Sequence, residues 1–209
     1  MHEAALDHLS RADKTLARLI VRVGPCDLKP RKTHSPFQAL VSSVVYQQLN
    51  GTAAETILRR VLALYPGKKF PLPEDFLGTP DDPLRAAGLS RAKLAAIKDI
   101  SAKTLNGVVP TAAAIRKLED EEIVERLTTI RGVGPWTVEM LLMFTLGRPD
   151  VLPATDYGVR QGFALTYRKK ELPAPRDLLA HGECWRPHRT IAAWYMWRAV
   201  DLAREKKAK

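Results

Sequence analysis

Two features of this sequence offer polar groups suited to chemistry, a glycine-rich turn and a carboxylate that follows it. The turn is Gly132-Val133-Gly134, and it lies with Pro135 inside the stretch LTTIRGVGPWTVEML. Glycine permits positive φ angles and leaves backbone N–H groups accessible, so such a turn can bind an anion. The carboxylate is Asp156, which lies 22 residues after Gly134 and opens a new helical pattern.

Asp156 precedes a helical pattern that includes Val159 and Phe163, so its side chain is predicted to cap that helix. Backbone N–H groups and the helix dipole stabilise a carboxylate at such a position in its charged form. A fixed anion can stabilise positive charge that develops on a substrate, and it can orient an attacking water. A purely structural cap is the alternative interpretation of this residue.

The charge balance favours a polyanionic partner. The 209 residues include 33 Lys and Arg against 23 Asp and Glu, which gives a net charge of +10. Such an excess is typical of proteins that bind nucleic acid, and a merely soluble surface is the simpler alternative. No apolar run reaches the roughly 20 residues of a membrane span. No membrane partner is therefore expected.

Cysteine and histidine usage gives no sign of a metal centre. The two cysteines, Cys26 and Cys184, are too few for a disulfide framework or a four-thiolate site, so a reduced cytoplasmic setting is expected. Metal-ligand spacing is also missing among the histidines, which are His2, His8, His34, His181 and His188. The N-terminal residues carry acids and lack the apolar segment of a signal peptide.

The elements that must position the turn and the carboxylate are helices. Helical periodicity runs through nearly the whole chain without an alternating strand pattern, so the predicted fold class is all-α. Residues 5–22 are predicted to form one helix. Ser35 with Pro36 is predicted to begin a second helix, and Thr52 to cap a third that ends near Leu64.

Further helices are expected on both sides of the glycine-rich turn. Two are predicted over residues 81–87 and 90–105, after a loop at 66–73. Thr111 and Glu119 are predicted to begin two more. Pro135 follows the turn at a position where its missing N–H costs nothing, and is predicted to begin the next helix.

The turn and its surroundings, about residues 127–146, resemble the helix-hairpin-helix motif of a superfamily of DNA-repair glycosylases. That superfamily follows the hairpin with a Gly/Pro-rich loop and an obligatory Asp, and the segment FTLGRPDVLPATDYGVRQGF (144–163) places Asp156 there. The likeness extends to SPFQALVSSVVYQQLNGTAA (35–54) and GLSRAKLAAIKDIS (88–101). The segment WRPHRTIAAWYMWRA (185–199) is similar to the last helix of the bacterial 3-methyladenine DNA glycosylase II group. The chain resembles a compact form of that group, without its N-terminal β-rich domain.

The resemblance implies a particular architecture, with two helical lobes flanking a DNA-binding cleft. The central lobe is expected over residues 35–148, with the hairpin inside it. The second lobe is expected to join residues 1–34 to 149–209 and to place Asp156 in the cleft.

The resemblance also implies a reaction. It is that of a monofunctional glycosylase, which flips alkylated bases of the 3-methyladenine and 7-methylguanine type out of duplex DNA and hydrolyses the N-glycosidic bond to leave an abasic site. Trp136 stands where strand-cleaving members carry a lysine, and Thr155 stands where some members have a second acid. The alternatives are a glycosylase for a mismatched or oxidised base and a non-catalytic DNA-binding module.

Several residues acquire roles from the same resemblance. Asp156 matches the catalytic Asp, and Trp136, Met140 and Trp197 match positions that line the substrate pocket. Core packing is the alternative for these three. Gln48 matches a residue that wedges into the duplex, and its alternative is a solvated helix end. The hairpin residues expected to contact DNA are Arg131, Gly132, Val133 and Gly134.

Cofactor and partner expectations follow in the same way. The backbone carbonyls of Thr128, Ile130 and Val133 match those that hold a Na⁺ or K⁺ ion in the family. No other cofactor is expected, and no iron–sulfur cluster, because only Cys184 follows Asp156. The expected partner is damaged double-stranded DNA, bound by a monomer in the cytoplasm in association with the nucleoid.

Overall fold

A computed structural model describes residues 2–30, 35–49 and 51–208, and the regular structure in these ranges is all helical. The predicted all-α class is confirmed. His34 and Asn50, which directly precedes Gly51, lie outside the described residues. None of the helices in the described ranges has the length and apolar character that a membrane crossing requires.

The chain divides into two compact units. The terminal unit comprises residues 1–30 and 147–209, and the central unit comprises residues 31–146. The sequence-based limits of the central lobe, 35 and 148, differ from this division by a few residues.

Helices follow one another along the chain with short connections. In order they are α1 (Glu3–Ala12), α2 (Lys14–Val23), α3 (Pro36–Tyr46), α4 (Gly51–Ala63), α5 (Pro73–Gly78), α6 (Asp81–Ala86), α7 (Arg91–Leu105), α8 (Ala112–Ile115), α9 (Asp120–Thr128), α10 (Pro135–Leu141), α11 (Tyr157–Thr166), α12 (Pro175–Gly182) and α13 (Arg189–Ala208). A π-helical turn at Leu142–Leu146 extends α10, and a 3-10 turn at Glu183–Trp185 follows α12.

The predicted single helix over residues 5–22 is wrong, because the chain breaks at Asp13. This residue has extended backbone, with φ −142° and ψ 105°, and its side chain caps α2. Its Oδ1 atom accepts hydrogen bonds from the backbone N–H groups of Thr15 at 2.9 Å and Leu16 at 3.0 Å. Leu9 and Leu16 are buried on the two sides of the break. The apolar spacing therefore continues across Asp13 although the helix does not.

Asp13 also ties three parts of the terminal unit together. Its Oδ2 atom accepts hydrogen bonds from the Tyr167 hydroxyl, from His181 Nε2 at 3.0 Å and from Trp185 Nε1 at 3.0 Å. Burial raises the pKa of Asp13, but the hydrogen bonds from His181, Tyr167, the Leu16 amide and Trp185 outweigh burial and hold that pKa well below its usual range.

The same cluster contains the three potential ligand atoms of Asp13, His181 and Cys184, which lie within 4.8 Å of one another. Both Asp13 oxygens already accept hydrogen bonds, and His181 uses Nε2 in one of them. The arrangement therefore serves as a junction between α2, α11 and the end of α12.

In the central unit, α3 is the buried element around which other helices pack. Ser35 and Gln38 form the capping box that begins it, with Pro36 at the first helical position, so the predicted start is confirmed. The helix packs against α7 and α10. Thr52 is not a cap as predicted, because α4 already begins at Gly51 and Thr52 lies within its first turn.

The predicted starts of the later helices are largely confirmed. Ser90 and Thr111 cap α7 and α8 with their side chains, and Glu119 occupies the cap position of α9. The segment predicted as a loop ends where α5 begins, at Pro73. This short helix begins with proline, and Asp75 accepts a hydrogen bond from the Leu72 amide at 2.8 Å.

Replacing Asp13 tests the junction. We expect Asp13→Ala to lower the free energy of unfolding by at least about 2 kcal/mol at neutral pH, because several buried donors lose their acceptor. A carboxyl whose pKa is lowered by folding contributes stability above its unfolded pKa and loses it in acid. The difference from wild type should therefore shrink below about pH 4. Urea unfolding at several pH values measures both effects.

Asp7→Ala is the matched control, since Asp7 is exposed on α1. A loss that is the same at neutral and acid pH would show that Asp13 acts through packing alone.

Candidate functional site

The glycine-rich turn lies between α9 and α10, and its two glycines serve different purposes. Gly132 has φ +74°, and a Cβ atom added there would lie 2.9 Å from the Ala96 Cβ. Gly134 has extended backbone with φ −100°, and a Cβ there would meet nothing within 4 Å. The expectation that both glycines supply positive φ angles thus holds for Gly132 only. Pro135 begins α10 as predicted.

Two amides, one in this turn and one directly before it, already have partners inside the protein. The Arg131 N–H donates to Asp99 Oδ2 at 2.7 Å, and the Val133 N–H donates to the Ile130 carbonyl at 3.1 Å. Within the described part of the chain, the amides of Gly132 and Gly134 donate no hydrogen bond. The anion-binding capacity predicted for the turn therefore rests on these two glycine amides and on the exposed Arg131 side chain.

The carbonyls predicted to hold an alkali ion lie between the last residue of α9 and the turn. The Ile130 oxygen accepts the Val133 N–H, and among the described residues no hydrogen bond reaches the carbonyl oxygens of Thr128 and Val133. Neutral oxygen ligands are the type that a hard cation takes. The donor set thus fits such an ion, and its binding stays a prediction.

An aromatic cavity opens within the central unit, next to the turn. Its volume is about 370 Å³, and it is lined by Trp136 and Met140 from α10. Tyr46 and Phe144 add two aromatic walls that the sequence did not indicate, and Ser42 contributes polar surface. The sequence signal for this wall of the cavity is the pair Ser42-Ser43, which stands among apolar residues of α3. The two predicted pocket residues of this unit therefore share one cavity of a size typical for small ligands.

Gln48 lies on the same unit, just beyond the end of α3. It is exposed and has φ +58°, a left-handed conformation that is uncommon for residues other than glycine. Its neighbour Gln47 donates from Nε2 to the Gly132 carbonyl at 2.9 Å. The residue that precedes the predicted wedge position is therefore hydrogen-bonded to the predicted phosphate-binding turn.

In the terminal unit, Asp156 caps α11 as predicted. Its Oδ1 atom accepts the Val159 N–H at 2.8 Å and the Trp197 Nε1–H at 2.9 Å. Two donors from different helices, α11 and α13, converge on one oxygen and fix the orientation of the carboxylate. The side chain is only half-buried, so it combines a fixed orientation with access.

Trp197 thus has a contact that the sequence did not indicate. The family resemblance implies a substrate-pocket role for Trp197, and the structure gives its indole N–H a hydrogen bond that helps to hold Asp156. A hydrogen bond from a fixed donor strengthens the preference of a carboxylate for one geometry. The pocket role of Trp197 stays a prediction.

Two glycines of α11 make this contact possible, and neither is marked by the sequence motifs. A Cβ atom at Gly158 would lie 2.8 Å from Trp197 Cδ1 and 3.1 Å from Asp156 Oδ1. A Cβ atom at Gly162 would lie 1.9 Å from the Met196 carbonyl oxygen. Helices α11 and α13 therefore meet backbone to backbone. The signal in the sequence was the spacing of four residues, which puts both glycines on one helical face.

Comparison with known proteins identifies the family. Residues 41–187 match the model of the HhH-GPD superfamily base excision DNA repair protein. The match covers most of the chain and includes the glycine-rich turn and Asp156. The chain belongs to this superfamily.

Similar proteins are glycosylases by name. DNA-3-methyladenine glycosylase 1 of Schizosaccharomyces pombe is 38% identical over 94% of this chain and 86% of the relative. A solved structure of the same organism's 3-methyladenine DNA glycosylase (Mag1), in complex with abasic DNA, has a TM-score of 0.86 and covers 93% of this chain and 95% of its own. The structure of a DNA-3-methyladenine glycosidase from Bacillus halodurans has a TM-score of 0.84 at 35% identity, and covers 96% of this chain and 91% of its own.

Gly158→Ala tests how Asp156 is held. We expect the new methyl group to push the Trp197 indole away from Asp156 Oδ1, because no space exists for it. The Trp197 indole N–H resonance in an NMR spectrum should shift, and the melting temperature should fall. Gly78→Ala is the control, since a Cβ there meets nothing within 4 Å. An unchanged indole resonance in Gly158→Ala would contradict the crowding that the structure indicates.

Proposed function

We propose that this protein is a monofunctional DNA glycosylase that removes alkylated purines, of the 3-methyladenine and 7-methylguanine type, from damaged duplex DNA. The observation that carries the proposal is the carboxylate of Asp156, which caps α11 and is fixed by the Val159 amide and the Trp197 indole. Membership of the base excision repair superfamily and the names of similar proteins support it.

The chemistry needs a fixed anion rather than a strong nucleophile. As the bond between the base and C1′ of deoxyribose breaks, the bonding electron pair leaves with the base and positive charge builds on the sugar. Asp156 stabilises this charge and orients the water that attacks C1′. The water's oxygen forms the new bond to C1′ and its proton is released. The products are the free base and an abasic site.

The cavity of the central unit supplies a place for the flipped base. Its walls include Trp136, Tyr46 and Phe144, whose electron-rich faces attract a ring that carries positive charge. Alkylation at ring nitrogen gives a purine this charge and weakens its glycosidic bond. An aromatic cavity therefore favours alkylated purines over normal ones by stacking and cation–π attraction.

DNA is held mainly through its phosphates. The amides of Gly132 and Gly134, with the Arg131 side chain, bind backbone phosphates without reading sequence. The net charge of +10 assists association with a polyanion. Gln48 enters the space that the flipped base leaves. The protein acts as a monomer on DNA in the cytoplasm.

An alkali ion completes the hairpin in this proposal. Na⁺ or K⁺ would be held by the carbonyls of Thr128, Ile130 and Val133, and its positive charge would add to the attraction for a phosphate. Hydrolysis by a carboxylate and water requires no further cofactor.

Asp156→Asn tests the catalytic assignment. Asparagine is nearly isosteric and still caps a helix, so the fold and DNA binding should remain. We expect release of methylated purines to fall by at least about a hundredfold, the scale for loss of one preorganised electrostatic group. Single-turnover release of bases from methylated DNA, with the freed bases resolved by chromatography, measures the effect.

Asp177→Asn is the matched control, because Asp177 is an exposed carboxylate in the first turn of another helix. Near-normal release by Asp156→Asn would remove Asp156 from the mechanism. Release of an oxidised or mismatched base in place of methylated purines would instead revise the substrate.

A second prediction concerns strand cleavage. Trp136 occupies the position at which strand-cleaving relatives carry an amine, so no Schiff base can form there. We expect borohydride to trap no covalent adduct with DNA, and nicks to form only after alkali treatment. A strong trapped adduct would show that another lysine attacks the sugar and that the enzyme is bifunctional.

A further inference from the structure

The segment that carries Gln48 is held by a lysine from a distant part of the central unit. Lys93, near the start of α7, donates from Nζ to the Val45 carbonyl at 2.7 Å and to the Gln47 carbonyl at 2.8 Å. These carbonyls belong to the end of α3, where backbone oxygens lack helical partners. Burial lowers the pKa of the Lys93 ammonium, so the two carbonyls are what makes a charge tolerable at this half-buried position.

The segment is also attached to the hairpin. Gln47 Nε2 donates to the Gly132 carbonyl at 2.9 Å and to Thr137 Oγ1 at 3.1 Å. One amide group thereby contacts both the turn and the helix that follows it. The position of Gln48 and that of the turn are consequently linked.

The hairpin itself rests on the same face of α7. Asp99 Oδ2 accepts the Arg131 N–H, and Lys103 donates to the Thr129 carbonyl while pairing with Asp99 at 3.1 Å. Ala96 lies against Gly132, and a Cβ atom added at Gly132 would come within 2.9 Å of the Ala96 Cβ. Four residues spaced three or four apart form this face, which we call the α7 face: Lys93, Ala96, Asp99 and Lys103.

Gln48 requires such support. A residue other than glycine at φ +58° has unfavourable backbone energy, and such conformations persist where the surroundings hold them. Gln48 is exposed, so its conformation is set by the backbone on either side of it. On its N-terminal side that backbone is fixed by Lys93 and Gln47.

We infer that Lys93 is a positioning residue for base extrusion: through the carbonyls of Val45 and Gln47 it holds Gln48 at a fixed distance from the hairpin. The inference rests on the proposed function and extends it to a residue outside the turn, the pocket and the carboxylate. A side chain that must enter the base stack gains most from being held in advance, because ordering it during the reaction costs free energy.

If Lys93 holds Gln48 in place, the loss of activity on replacing Lys93 should depend on how strongly the target base is stacked. Unstacking a base costs a few kcal/mol in a paired duplex and least where the base is mispaired or in a single strand. Lys93→Met keeps most of the side-chain length and removes the donor. We expect it to slow excision from a paired duplex by about tenfold, the scale of a charge-assisted hydrogen bond. The loss should be clearly smaller for a lesion opposite a mismatch or in a single strand.

The experiment compares single-turnover rates of base release on paired, mispaired and single-stranded substrates. The variants are Lys93→Met, Gln48→Ala and the double variant. Lys98→Met is the matched control, since Lys98 lies on α7 and pairs with Asp81, away from the α7 face. Lys93→Arg should restore part of the rate, because a guanidinium also donates to carbonyls.

The inference is supported if Lys93→Met lowers the ratio of paired to mispaired rates, Lys98→Met does not, and the double variant loses little beyond Gln48→Ala. Additive losses in the double variant, or equal losses on all substrates, would overturn it, because residues that act through one another are not additive. If Lys93→Met does not fold, Gln47→Glu removes the Nε2 donors and should change the same ratio.

Failure of the proposed function has a different signature. Wild-type protein that releases no base from any substrate would remove that function and the inference with it. Active wild type with an unaffected Gln48→Ala variant would overturn the inference alone.

Discussion

The close backbone contact between α11 and α13 holds the Asp156 carboxylate in place. Gly162 allows α11 to lie against the Met196 carbonyl, and Gly158 leaves room for the Trp197 indole one turn earlier. Trp197 then reaches Asp156 Oδ1, which the Val159 amide also contacts. A carboxylate that is fixed from two helices and still accessible needs no reorganisation when positive charge develops near it. That property is the main requirement for electrostatic catalysis.

Under the proposed function, the central unit meets a different requirement, which is to present the turn and the Gln48 side chain at a fixed spacing. Both features are short segments, and both are hydrogen-bonded to the α7 face, through Lys93 at the end of α3 and Asp99 at the hairpin. The hairpin amide used for this support, that of Arg131, is distinct from the Gly132 and Gly134 amides that the proposed function assigns to a phosphate. Internal hydrogen bonds thus engage some amides of the hairpin and leave those of Gly132 and Gly134 without an internal acceptor among the described residues.

The aromatic cavity shows how specificity can arise without many polar contacts. Its walls are Trp136, Tyr46 and Phe144, with Ser42 as one of few polar groups. Stacking and cation–π attraction respond to ring charge more than to the pattern of donors and acceptors on the base. Under the proposed function, a cavity of this kind would suit a class of lesions that share positive charge rather than one particular base.

The all-α class could be predicted from the amino-acid sequence, and so could most helix starts, the hairpin and the cap at Asp156. These features depend on local rules, namely proline at first helical positions, capping side chains and glycine in turns. Family likeness then assigned roles to residues such as Gln48 and Trp136. The break at Asp13 depends instead on tertiary contacts, since its partners Tyr167, His181 and Trp185 lie more than 150 residues away. The hydrogen bond of Trp197 and the support from Lys93 also join residues distant in the chain. Periodicity cannot reveal such contacts, because it records which face of a helix is buried and not which distant side chain meets it.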